Sequence, residues 1–250
     1  MPAAVRLCPV APRPRRLLAA LVAASALAAM GGGAQPQPPG ERLDVGSFTV
    51  LVAGRPVGRE QFSIQRMAGA DDAVLELRAE AAQGDRRSAL RLEADSAGTP
   101  VRIALEERQG TEPTLRLGGQ RVRGRFATLA RSRTGEAARE YLLRPGAVVV
   151  EEEGVLLHVL LLPRTPLAEG EGVTRPSLTP SANTQGTVRV VLEARSDTVV
   201  IAGARRAASR WRVVTAVGEA RYLWADSERR LLRVTIPGRG IEARRDDVPR

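Results

Sequence analysis

The 250-residue chain has no lysine, one cysteine, one histidine and few aromatics: three Phe, two Trp and two Tyr. Each scarcity excludes something. The single cysteine, Cys8, lies ahead of an apolar run, so the remainder of the chain can form neither a disulfide nor a thiolate metal site and depends on packing. With His158 as the only imidazole, a Ser-His-Asp hydrolase has no choice of base, and a lone histidine inside a leucine run reads as a packed residue. The chain also lacks a phosphate-binding glycine loop, metal-ligand spacing and a G-x-S-x-G elbow. We therefore expect no catalytic residue, no metal and no cofactor. No apolar run reaches the roughly 20 residues of a membrane-spanning helix, so no transmembrane segment is expected in the mature chain.

What is present begins with an export signal. Within Met1 to Ala34, Arg6, Arg13, Arg15 and Arg16 precede an apolar stretch from Leu17 to Met30, followed by small residues. Cleavage is expected between Ala28 and Ala34, which places the mature protein in the periplasm or outside the cell. Residues 35–42, rich in proline, are expected to form a flexible lead-in. The formal charge of +10 falls to +6 once the four leader arginines are removed. All of the basic residues are Arg, in a chain also rich in Ala and Gly, so the basic balance reflects composition more than a nucleic-acid partner, and none is expected.

The rest of the sequence is dominated by period-two alternation, the signature of strands with one dry and one wet face. Phe48, Val50 and Val52 are followed by the break Gly54–Gly58, then by Phe62 and Ile64. Leu75–Ala79, Leu90–Ala94 and Val101–Leu105 alternate with Arg and Glu, a pattern that reads as a solvated, charge-paired sheet face. Near the C-terminus, Ala220 to Pro237 reads as a hairpin: Tyr222 and Trp224 on one side of the first strand, a polar turn at Asp226–Glu228, then Leu232, Val234 and Ile236. Val155 to Leu162 predicts a short helix or a buried strand, with Glu151–Glu153 suited to a helix N-terminus. Residues 164–185 predict an extended loop, and strand signals resume at Thr187–Ala194 and Thr198–Ala202.

One run lacks local counter-charge. Arg121, Arg123 and Arg125 alternate with Val122, Gly124 and Phe126, so they are expected on one face of one strand, where they suit an anionic head group unless neighbouring acids such as Glu136 or Glu140 neutralise them. Trp224 is expected to be a buried anchor of the core; at a surface it would be a further ligand contact.

The stretches FTVLVAGRPVGREQFSI and RYLWADSERRLLRV resemble a group of exported bacterial β-sheet proteins of unknown function, similar in outline to periplasmic lipoprotein and lipid carriers. The resemblance implies a curved antiparallel half-barrel with a helix or loop in its mouth, and it implies no catalytic residue. The expected fold is thus all-β: residues 43–250 as a single large curved antiparallel sheet, half-barrel or barrel of roughly a dozen strands, or two β subdomains split near 164–185. The expected function is non-catalytic binding or carriage of a lipid or other amphiphile with an anionic head. A structural or envelope-protein-binding module is the alternative, and a hydrolase a distant third.

Overall fold

The computed structural model describes residues 40–67, 74–151 and 154–249. The export signal in 1–34 lies outside them. Successive hairpins run through β1 (Glu41–Val52), β2 (Arg55–Met67), β3 (Val74–Gln83), β4 (Arg86–Ala94), β5 (Pro100–Gln109), β6 (Glu112–Val122), β7 (Arg125–Ser132) and β8 (Gly135–Leu142). A short β9 (Val148–Val149) and a 3-10 helix, Leu156–Leu161, come next. The second meander is β10 (Gly172–Thr179), β11 (Thr184–Ile201), β12 (Ala204–Val214), β13 (Ala220–Ala225), β14 (Leu231–Ile236) and β15 (Ile241–Arg245).

All fifteen strands belong to one sheet, ordered β8-β7-β6-β5-β4-β3-β2-β1-β15-β14-β13-β12-β11-β10-β9. The first and last strands therefore meet in the middle, antiparallel, with Phe48 opposite Arg245 and Val52 opposite Ile241. Every pairing is antiparallel except β9 with β10. The sheet is open, with β8 and β9 at its edges. Those edges are joined by residues 143–147 alone, and an extended chain gains at most about 3.3–3.6 Å per residue, so the sheet must curl until they approach within roughly 20 Å. Gln185 Nε2 donates across this gap to the Leu142 carbonyl at 2.9 Å.

The concave face holds the core. Phe48, Leu77, Leu92, Ile103, Phe126, Val190, Val213 and Leu223 are fully buried, and Phe48 stacks on Phe62 with ring centroids 5.1 Å apart. The apolar 3-10 helix, with Leu156, Leu157 and Leu161 buried, fills the middle of the curl instead of forming a strand. The N–H groups of Val155 and Leu156 are capped by Glu60 of β2; of the acids expected at this position, Glu151 binds Ser181, and residues 152–153 lie outside the described residues.

Three local expectations are corrected. The proline-rich segment 164–185 is not wholly loop: β10 occupies Gly172–Thr179, and because it pairs with β9 only at Ser177 and Leu178, it tolerates Pro176 beside the sheet edge. The two strands expected at 187–202 are one, β11, bent by register shifts between Leu192 and Asp197. Glu41 and Arg42, expected in the lead-in, belong to β1, and residues 35–39 lie outside the described residues.

The C-terminal hairpin forms as expected, with the faces of its first strand exchanged, while Val234 and Ile236 of the second lie in the core. Arg221, Leu223 and Ala225 face the core, and Tyr222 and Trp224 the other side. A bulge pairs Trp224 with Arg233 and Ala225 with Leu231, which turns Leu232 outward. There Leu232 joins Val199, Ile201 and Ala208 in a second small cluster, with Trp224 packed against it.

Candidate ligand-binding site

The 3-10 helix is held by buried polar groups arriving from two sides of the curl. Glu60 occupies the apolar phase of β2, in line with Phe62 and Ile64, and its carboxylate accepts the N–H groups of Val155 and Leu156, each at 2.7 Å. Burial pushes the Glu60 carboxyl above its ordinary range, and the two N–H bonds oppose that shift.

His158 is fixed through both ring nitrogens. Nδ1 lies 3.0 Å from the Val155 carbonyl, and Nε2 lies 3.1 Å from Nη1 of Arg221. Since arginine only donates, Nε2 is the acceptor and the proton sits on Nδ1. Burial, and then the charge of Arg221, push the imidazole down to about 3. Arg221 is itself buried and paired with Glu219 at 2.8 Å. With both nitrogens engaged, His158 has no lone pair for a nucleophile.

The helix separates two cavities that share β1, β2 and β3. The smaller, about 160 Å³, lies beside Val155 and His158 and is lined by Val50, Gly58 and Ala81. The larger, about 420 Å³, lies toward the other end of the same strands, beside Val159, Leu160 and Leu162. Leu43, Ile64, Leu75 and Leu77 complete its apolar wall. Its volume falls inside the roughly 300–1,000 Å³ typical of small-molecule sites.

The larger cavity has a basic mouth built from Arg164, Arg175 and Arg229. Arg175 donates to three carbonyls, Gly146 at 3.0 Å, Leu160 at 2.6 Å and Ala97 at 3.0 Å, so its guanidinium is fixed while part of its donor capacity stays open. Arg229, at φ 64°, donates to the Arg164 carbonyl. Burial, followed by the charge of Arg164, lowers the proton affinity of both Arg175 and Arg229, with Asp95 partly opposing this at Arg175, although guanidinium stays charged. None of the three is ion-paired to a carboxylate among the described residues. The other charged groups of the mouth are matched: Arg66 with Glu41, Arg230 with Asp226, and Asp44 with Arg245.

The arginines singled out in the sequence do not form the expected row. Arg123 and Gly124 take φ 48° and 77° and make the two-residue turn of the β6–β7 hairpin, a conformation that glycine adopts without cost. Arg121 sits opposite buried Phe126, whereas Arg125, its chain neighbour, lies on the other face. Each has an acid after all: Arg121 with Asp95 at 2.8 Å, Arg125 with Glu140 at 3.7 Å. Arg121 alone comes near the larger cavity, through the Asp95–Gly98 turn that also meets Arg175. Trp224 lies on the opposite face, its Nε1 donating to Asp197 at 2.9 Å and Arg233 stacked 4.8 Å from its ring centroid.

Among the described residues, no cluster of His, Cys, Asp and Glu is placed to hold a metal, and no helix is long and apolar enough to cross a membrane. No protein family, curated protein or solved structure matches the chain. The sequence reading missed Arg164 and Arg175 because they fall in a segment that looks like loop, and Arg229 because it lies in a turn. Glu60 did leave a signal, an acid in phase with Phe62 and Ile64.

Proposed function

We propose that the protein binds and carries an amphiphile with an anionic head, the apolar part in the larger cavity and the head between Arg164, Arg175 and Arg229. One observation carries this reading: a leucine- and isoleucine-walled cavity is lined by three guanidinium groups that form no ion pair with a carboxylate among the described residues. Each CH₂ moved from water into such a cavity contributes about 0.8 kcal/mol, and fixed donors at the rim select the head. The reading draws support from the export signal expected in 1–34, since a cell envelope is rich in amphiphiles, and from the resemblance to exported β-sheet carriers. An enzymatic role finds no support in His158, whose ring is fully engaged.

Native mass spectrometry of protein gently extracted from its host tests the reading. The expected result is a co-purifying amphiphile that is lost from Leu43→Trp, a variant that fills the larger cavity. Wild-type protein carrying no added mass, and binding no alkyl ligand when one is offered, would remove it.

A further inference from the structure

We infer that the head held between Arg164, Arg175 and Arg229 is a phosphomonoester rather than a carboxylate or a sulfate ester. This rests on the amphiphile reading above and specifies its ligand class.

Charge matching is the first argument. The nearby acids are already committed: both oxygens of Asp44 are taken by Arg245 at 2.7 and 2.8 Å, Glu228 faces Arg230 at 3.4 Å, and Asp95 is bonded by Arg121. Three guanidinium charges, that of Arg175 partly offset by Asp95, therefore remain at the mouth of a cavity with leucine and isoleucine in its walls. A carboxylate or sulfate ester brings one negative charge and leaves most of the mutual repulsion in place. A phosphomonoester brings close to two at neutral pH, with three acceptor oxygens to share among three guanidinium groups.

Preorganisation is the second. Arg175 is held by three backbone carbonyls from three separate parts of the chain, and Arg229 by the Arg164 carbonyl. Neutral carbonyls orient a guanidinium without cancelling its charge. The closeness of the three is visible in the charge of Arg164 acting on both partners. Holding like charges together has a cost that a dianion relieves on binding.

Isothermal titration of the purified protein with octyl phosphate, octyl sulfate, octanoate and inorganic phosphate, at pH 8 and pH 5, tests the inference. The second ionisation of a phosphomonoester lies near pH 6, so octyl phosphate is a dianion at the higher pH and a monoanion at the lower. Octyl sulfate keeps one charge throughout and controls for changes in the protein. At pH 8 octyl phosphate is expected to bind about tenfold more tightly than octyl sulfate or octanoate, an advantage of about 1.4 kcal/mol, and to lose most of that advantage at pH 5. Arg164→Gln, at an exposed side chain, should weaken octyl phosphate more than octanoate at pH 8 and so shrink the preference. Arg229→Gln provides a second variant should the first misfold. Equal affinity for all three octyl ligands overturns the phosphomonoester and leaves the amphiphile reading standing. Inorganic phosphate binding as tightly as octyl phosphate shows a phosphate site with no use for an alkyl chain and overturns the amphiphile reading. No binding by any octyl ligand overturns both.

Discussion

Nε2 of His158 accepts a hydrogen bond from Nη1 of Arg221 at 3.1 Å, joining the 3-10 helix in the interior to β13 of the surrounding sheet. A buried cation beside a buried imidazole keeps that imidazole neutral. The fold is thereby linked to pH at this point.

The His158 pKa is depressed to about 3 in the fold against an ordinary value of 6.5. Above about pH 6.5 the ring is neutral in both folded and unfolded chains and its contribution is complete. As the pH falls, the unfolded chain takes up the proton first, so stability is lost at about 1.4 kcal/mol per pH unit between pH 6.5 and pH 3. Glu60, raised in the fold, works oppositely: its contribution is complete below its unfolded value and is lost as pH rises through its folded value. Denaturant melts of wild type and His158→Gln at pH 7 and pH 5 isolate the histidine. The gap between the two proteins is expected to shift by roughly 2 kcal/mol toward the variant at pH 5; parallel profiles would show that the ring is solvated.

Glu60→Ala removes the acceptor for two buried N–H groups. Each such group left unsatisfied costs about 1–3 kcal/mol, so a loss of roughly 2–6 kcal/mol is expected for the two. Amide hydrogen exchange gives the local readout. Val155 and Leu156 should lose protection well before the paired amides of β1 and β2, and uniform loss would mean that the cap is not what secures the helix.

Asp44 and Arg245 form a bidentate buried pair, and the same guanidinium lies 5.1 Å from the Phe62 ring centroid. Arg245 belongs to β15 and Asp44 to β1, so the pair locks together the first and last strands of the sheet. Arg245→Met alone is expected to cost about 3–5 kcal/mol because it strands a buried carboxylate, whereas Asp44→Leu with Arg245→Met should recover most of that loss. A double variant as unstable as the single one would show that packing against Phe62, and not the unpaired charge, dominates.

Trp211, 7% exposed on the core face, and Trp224, half-buried on the outer face against the cluster of Val199 and Ile201, should behave differently. Trp211→Ala is expected to cost about 3–5 kcal/mol and Trp224→Ala about 1–3 kcal/mol. Iodide should quench the emission that survives in Trp211→Phe more strongly than that in Trp224→Phe.

The all-β class, the hairpin at Ala220–Pro237 and the β2–β5 alternation were legible because a half-buried strand prints its geometry directly on the sequence, every second residue being apolar. Faces were harder to assign. Arg221 and Glu60 look like outward residues by type, yet each lies in phase with buried neighbours, and the partners that make this tolerable are distant in sequence: His158 for Arg221, Val155 and Leu156 for Glu60. The arginine row failed for a related reason. Alternation was read through Arg123–Gly124 as if through strand, where the glycine signals a reversal that sends Arg121 and Arg125 to opposite faces.

The sequence by itself determined the strand content and the apolar segment near residue 158, since composition and periodicity are local properties. Only the tertiary structure decided that β1 joins β15, that the apolar segment sits inside the curl between two cavities, and that Arg164, Arg175 and Arg229 share a mouth. Those are relations between residues far apart in the chain. They are set by which faces the curling sheet brings together and by which buried charges find partners, and no local window of sequence contains either.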